Sequence, residues 1–166
     1  MKRLPGGTPV LIRRIRPDDK ELLARGLREL SELSVQRRFL SPKRRFTQAE
    51  LRYLTEVDGH DHYAIVAVDP RTDDLVAVGR WVRLVSDPLD AEAAIVVCDD
   101  LQGRRLGKEL ARRLADAARA RGIRRIHATM LSDNPPAHAL MRVIAERLSG
   151  GAHDHGVHEV VAELAA

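Results

Sequence analysis

The sequence has a single cysteine, Cys98, among 166 residues. That excludes a disulfide framework and a cysteine-based zinc site. A reducing, cytoplasmic setting is the default expectation. Aromatic residues make up only 3% of the chain: Phe39, Phe46, Tyr53, Tyr63 and Trp81. Five are too few to build a base-stacking platform for single-stranded nucleic acid. No apolar run approaches the roughly 18 residues of a membrane span. The opening Met1-Lys2-Arg3-Leu4-Pro5-Gly6-Gly7 holds no signal-peptide core. Lysine is scarce as well, with four (Lys2, Lys20, Lys43, Lys108) among 28 basic residues, which leaves 24 arginines. Most of that arginine, beside abundant alanine, reads as genome composition. The net charge of +4 is spread along the chain and is weak support for nucleic-acid binding. Neither a nucleic acid nor a membrane is expected as partner.

What remains is a length suited to one ordinary domain, with a core spanning about 8–164. Such a chain buries roughly 70% of the surface its unfolded form exposes. Val10 to Arg16 reads as a strand, and Pro17-Asp18-Asp19 opens a helix with Leu22, Leu23, Leu27 and Leu30 on one face. Ser31 to Pro42 breaks that pattern. Thr47-Gln48-Ala49-Glu50 has the form of a capping box for a short helix through Leu54. Three strands follow, Tyr63–Val68, Leu75–Leu84 and Glu92–Cys98, joined by turn-rich segments. Leu106, Leu110, Leu114 and Ala118 lie four apart on the next helix, which Arg121-Gly122 ends. Ile126–Leu131 is a strand. Asn134-Pro135-Pro136 starts a helix that carries Ala137, Leu140, Met141, Ile144, Ala145 and Leu148 inward. Gly150-Gly151 is a break, and Val157–Leu164 closes as a strand. The expected class is α/β: a mixed, mostly antiparallel sheet flanked by helices.

Chemistry concentrates where Ile95-Val96-Val97-Cys98 runs into Gln102-Gly103-Arg104-Arg105-Leu106-Gly107-Lys108 and then a helix. Unpaired N–H groups and the helix dipole make such a turn an anion site suited to phosphate. Arg104, Arg105 and Lys108 add positive charge. Two phosphate motifs fail. Gly103 and Gly107 stand one residue too close for a P-loop, and Glu109 replaces its hydroxyl residue; no G-x-G-x-x-G run occurs.

Gln102-Gly103-Arg104-Arg105-Leu106-Gly107 resembles the Gln/Arg-x-x-Gly-x-Gly/Ala pyrophosphate loop of the GNAT superfamily of N-acetyltransferases. The element order is similar to that family over nearly the whole chain. Ser132-Asp133-Asn134-Pro135-Pro136-Ala137-His138-Ala139-Leu140 resembles its Asn-x-x-Ala/Met-x-x-Leu segment. The resemblance implies a GNAT fold in which amides from about Leu101 to Lys108 bind the pyrophosphate of acetyl-CoA. It implies further that the strand from Glu92 splays, so that the backbone near Val96, Val97 and Cys98 holds the pantetheine and polarises the thioester, with Asn134 nearby. No metal is implied. Arg105 stands where the family carries its first motif glycine. With Gly103 and Gly107 kept, a relaxed Arg105 adding a guanidinium is favoured over a strained one.

Acyl transfer to an amine needs the amine neutral, and a lysine ammonium titrates near 10.4. Glu92 matches the context of the superfamily's catalytic glutamate, and burial beside apolar strands is expected to raise its pKa. The family's proton-donating tyrosine is replaced by Met141, which has no proton to give; Ser132 and Asn134 lie near enough to polarise the sulfur. Members that work through a glutamate alone include bacterial protein lysine acetyltransferases, which Arg37-Arg38-Phe39-Leu40-Ser41 and Val157-His158-Glu159-Val160 faintly resemble. The acceptor is then a protein lysine or a small-molecule amine. A non-catalytic acyl-CoA sensor or interaction domain is the alternative that Met141 and Arg105 leave open. The basic run Arg37, Arg38, Lys43, Arg44 and Arg45 is either a solvated connector or a wall of the acceptor site. His153, His155 and His158, like His60 and His62, read as surface loop residues, and Cys98 as a buried, unreactive thiol.

Overall fold

The computed structural model describes the backbone from Met1 to Ala166 and every side chain outside residues 151–153. The described residues form one sheet of eight strands: β1 (Lys2–Arg3), β2 (Pro9–Arg14), β3 (His62–Asp69), β4 (Asp74–Arg83), β5 (Asp90–Val97), β6 (Arg125–Leu131), β7 (Ala145–Asp154) and β8 (Val157–Leu164). Their spatial order is β1-β2-β3-β4-β5-β6-β8-β7. Every neighbouring pair is antiparallel except β5 and β6. Helices α1 (Lys20–Glu29), α2 (Glu32–Phe39) and α3 (Gln48–Thr55) lie between β2 and β3 in the chain; α4 (Leu106–Arg119) joins β5 to β6, and α5 (Pro135–Ile144) joins β6 to β7. The mixed, mostly antiparallel α/β class read from the sequence is the one that forms. Among the described residues no helix is long and apolar enough to cross a membrane.

Strand alternation divides the core between the two faces of the sheet. On β3, Ile65 and Ala67 join a cluster with Leu106, Leu110 and Leu114 of α4, while Ala64, Val66 and Val68 join one with Leu22, Leu23 and Leu51 of α1 and α3. The four-residue stripe of α4 is wholly inside, and each of its buried leucines contributes about 2 kcal/mol by leaving water. The helix packs tightly because Gly79 of β4 has no side chain: a Cβ there would sit 2.8 Å from Leu114 Cδ1. Beside it, fully buried Trp81 donates its indole N–H to the Leu114 carbonyl at 3.1 Å. The capping box of α3 forms as expected, with Thr47 and Glu50 exchanging hydrogen bonds.

Two stretches differ from the sequence reading. Ser31 to Pro42 contains a helix, α2, although it buries only Ser34 and Val35. Its start is held from 68 residues away: the Asp99 carboxylate accepts from Ser31 N, Ser31 Oγ and Ser34 Oγ at 2.7–3.0 Å. A helix secured by a distant carboxylate leaves little periodicity to read. The helix after Asn134 also ends early, at Ile144, and Ala145 to Asp154 pairs with β8 as an edge strand. Leu148 is therefore 38% exposed instead of inward, and Gly150 pairs with Val160 instead of breaking the chain.

Candidate active site

β5 is bound to β4 along its whole length, from Ala91↔Arg83 to Val97↔Ala77. It pairs with β6 only at Asp90, Ala91 and Glu92. β6 continues with β8 instead, so the sheet opens into a gap beyond Glu92. Leu84 N donates to Asp90 O and Cys98 N to Val76 O, which fixes the even-numbered residues of β5 as those bonded to β4. The N–H and C=O groups of Ala93, Ile95 and Val97 consequently face the gap. The Val97 carbonyl is met there by Gln102, whose Nε2 donates to it at 3.0 Å and to Ser34 Oγ at 3.1 Å. The gap widens into a cleft of about 510 Å³, floored by Leu114, Ile126, Met130 and Met141.

The mouth of the cleft is the start of α4. Gly103 has φ +76° and Arg105 φ +66°, so the backbone turns twice through the left-handed region before the helix begins. The first bond across the helix start is Glu109 N to Arg105 O, and no side chain caps the N–H groups before it. These bare donors, the dipole and the exposed Arg105 and Lys108 make an anion site on the cleft rim. Arg105 is thus the strained alternative, not the relaxed one: the position keeps a glycine-like backbone although it holds arginine, at a cost of about 1 kcal/mol. Arg37, on α2, aims its guanidinium at the same cleft, and its Nε is buried without a hydrogen-bond partner.

Of the residues named from the sequence, Val96, Val97, Gln102, Gly103, Arg105, Gly107, Lys108 and Asn134 line the cleft. Three do not. Leu106 is 0% exposed in the core and offers only its amide. Arg104 projects outward beside Gly6. Cys98 spends its N–H on Val76 and faces the opposite side of β5, where burial foremost, and then Asp100 and Asp99, push its thiol up. Asn134 caps α5 by accepting from Ala137 N at 3.4 Å. Ser132 is occupied elsewhere, donating to Gly156 O. Met141 is buried in the cleft wall.

Glu92 lies at the last paired position before the gap. It is exposed, not buried between apolar strands as expected, because β5 and β6 part immediately beyond it. Its register neighbour on β6 is His127. The His127 ring sits between two carboxylates, Nδ1 at 2.7 Å from Glu159 and Nε2 at 2.8 Å from Asp90. A neutral imidazole has one donor and one acceptor, whereas both of these partners are carboxylates, so the pair of contacts favours the imidazolium. Burial alone would lower its pKa; the bonds to Glu159 and Asp90 outweigh that and raise it. Asp90 also receives Arg125 at 2.6 Å.

This ionic row was not legible in the sequence, nor was the placement of His62. His62 is buried, and its Nε2 accepts from Arg80 Nη1 at 2.9 Å. Of the histidines near the C-terminus, the side chain of His153 lies outside the described residues, His155 is exposed beside Asp154, and His158 is buried and stacks on His138. In the basic run, Lys43 pairs with Glu50, Arg44 and Arg45 are exposed, and Arg37 and Arg38 line the cleft. Among the described residues no cluster of His, Cys, Asp and Glu could hold a metal ion.

The model of the acetyltransferase (GNAT) family matches residues 27–144. Acetyltransferase Pat of Mycolicibacterium smegmatis is 37% identical over 116 residues, which is 70% of this chain and 34% of that protein. Acetyltransferase PA5475 of Pseudomonas aeruginosa is 30% identical over 129 residues, 76% of this chain and 69% of that protein. This chain thus spans about a third of the length of Pat and about two thirds of PA5475. The solved GNAT domain of S. lividans PAT superposes with a TM-score of 0.86 at 26% identity, covering 98% of this chain and 95% of that one. A split β5–β6 pair, an uncapped helix start on its rim and these relatives lead to one conclusion: the chain belongs to the GNAT family of acetyltransferases.

Proposed function

We propose that the protein transfers an acetyl group from acetyl-CoA to an amine, by direct attack in a ternary complex. One observation carries the reading: the unpaired backbone of β5 and the uncapped start of α4 open into a single cleft. A pantetheine arm has amides that suit the free N–H and C=O groups of Ala93 and Ile95 and the free N–H of Val97, whose carbonyl Gln102 already holds. A pyrophosphate suits the amides of Gly103 to Lys108, with Arg105, Lys108 and the unpartnered Arg37 Nε beside them. The GNAT relatives carry the name acetyltransferase, which supports acetyl as the group moved.

In the chemical step the amine nitrogen attacks the thioester carbonyl and a C–N bond forms. Free N–H groups of β5 stabilise the oxyanion. The C–S bond then breaks and the thiolate leaves. Glu92, at the edge of the gap, takes the proton that the amine must lose. Met141 cannot protonate the thiolate, so water supplies that proton. Glu92 without a tyrosine partner favours a protein lysine as acceptor, with small-molecule amines as the other class.

The test is thiol release from acetyl-CoA across a panel of amines and lysine peptides, alongside calorimetric titration with CoA. Amine-dependent release together with CoA binding is the expected result. CoA binding with no release for any amine would make the fold an acyl-CoA sensor instead, and absence of CoA binding would end the reading altogether.

A further inference from the structure

Arg80 of β4 and Ala94 of β5 are register partners and point to the same face of the sheet, the face away from α4. Arg80 is 6% exposed, yet among the described residues no carboxylate bonds to it. Its Nη1 donates to Leu54 O at 3.0 Å and to His62 Nε2. A guanidinium has no acceptor, so His62 is the neutral tautomer with its proton on Nδ1. Burial, and then the Arg80 charge, push His62 down to about 4.

A second guanidinium lies close by. Arg38 of α2 stacks over the Phe39 ring at 4.8 Å, and no described residue accepts a hydrogen bond from it. Burial lowers the pKa of Arg38, and the charge of Glu92 acts against that from beyond ion-pair distance. Burial and the Arg38 charge together push Arg80 down to about 10.

Arg38 and Arg80 are the two charged residues lining a pocket of about 50 Å³, whose other walls include Leu54, Val78, Ala94 and Val96. That space takes about three or four heavy atoms. Arg38, Ala94 and Val96 are also walls of the large cleft, so the pocket adjoins the cleft along β5, beginning two residues beyond Glu92. Arg80 is buried and Arg38 half-buried, and two like charges facing one pocket without an anion are costly. One carboxylate would neutralise both and fill the donors of Arg38, since a guanidinium matches a carboxylate in shape and charge.

We propose that Arg38 and Arg80 form a carboxylate-binding subsite beside the transfer point, and that a substrate of this protein carries a carboxylate near its reacting group. The carboxylate belongs either to the acceptor amine or to the far end of the acyl chain; both present the same group to the two arginines. The inference rests on the acyl-transfer reading above and narrows its substrate class.

The test has two arms, each comparing a carboxylate with its neutral counterpart. In the donor arm, calorimetry compares succinyl-CoA with butyryl-CoA, whose acyl chains have equal numbers of carbons. In the acceptor arm, kcat/KM with acetyl-CoA is compared between amino acids and their amides. A preference for the carboxylate of about 10- to 100-fold is expected in one arm, which names the source. In Arg38→Met that preference drops to near unity, while the variant melts no lower than wild type because a half-buried cation without a carboxylate partner has been removed. Near-equal values in both arms of the wild type overturn the subsite. So does a preference that survives Arg38→Met. CoA binding and acyl transfer without any preference sink the subsite alone; no CoA binding sinks it along with the reading beneath it.

Discussion

The two faces of β5 have opposite characters. Toward α4, Ala91, Ala93, Ile95 and Val97 meet leucines, an indole and small residues. Toward α2 and α3, Glu92 and Ala94 share their face with Arg80, His62, Arg38 and His127. One strand therefore serves as a wall of the apolar core and of the cleft on one side, and as the edge of an ionic row on the other. The apolar side needs packing alone, and its turn to the cleft is made by backbone. The ionic side depends on which protons are held, so pH and charge substitutions act there first.

The largest effect expected from breaking this division is at Glu92. Glu92→Gln lowers turnover by about 10²- to 10⁴-fold in the thiol-release assay, while CoA affinity stays at its wild-type value. Wild-type turnover across pH 6–9 would remove Glu92 from the mechanism.

Two histidines on the ionic side give pH limbs of opposite sign. His62 is held below its unfolded value of 6.5, at about 4, so the unfolded chain binds more protons between those values. Its stability contribution is whole above pH 6.5 and is lost as pH falls toward 4, by about 3 kcal/mol. His127 is raised, so its contribution is whole below 6.5 and is lost as pH climbs through its folded value. Chemical denaturation from pH 4 to 9 should show the acid limb flattened in His62→Gln and the alkaline limb in His127→Gln. An acid slope unchanged in His62→Gln would assign that limb to other groups.

On the cleft side, Gly107→Asp places a carboxylate in the first turn of α4, where a Cβ has 3.4 Å to Leu140 and room to exist. Calorimetry should show CoA affinity down by roughly tenfold, from repulsion of the pyrophosphate. The melting temperature should hold or rise, since acid at a helix start is favourable. Equal affinity would place the phosphates elsewhere. The smallest effect is at Arg105, with φ +66°. Arg105→Gly should gain up to about 1 kcal/mol in denaturant unfolding by relieving the left-handed backbone, and CoA should bind a few times more weakly. A loss of stability would mean that the guanidinium, not the backbone, governs this position.

The contrast between the faces also explains what could be read in the sequence. The loop from Gln102 to Lys108 is contiguous, and its chemistry is carried by glycine placement and a strand-to-helix switch, so the anion site was legible. The apolar stripes of α1 and α4 were legible for the same local reason. Where backbone strain falls was not: Arg105 takes the conformation its position demands, against its own preference. The ionic row unites His62, Arg80, Glu92 and His127, each from a different strand, with Asp90 and Glu159. Only strand register brings these together, and register depends on the pairing of the whole sheet. α2 and β7 escaped notice similarly: one hangs on Asp99 and the other on the edge of β8.

The central claim is that the free amides of β5 and the bare start of α4 receive one ligand, on one side of the strand. Amide hydrogen exchange with and without CoA tests this directly. The account predicts slowed exchange at Ile95, Val97 and Gly103 to Lys108, with α3 unchanged. Protection of α3 in place of β5 and α4, or no protection at a CoA concentration that saturates binding, would contradict it.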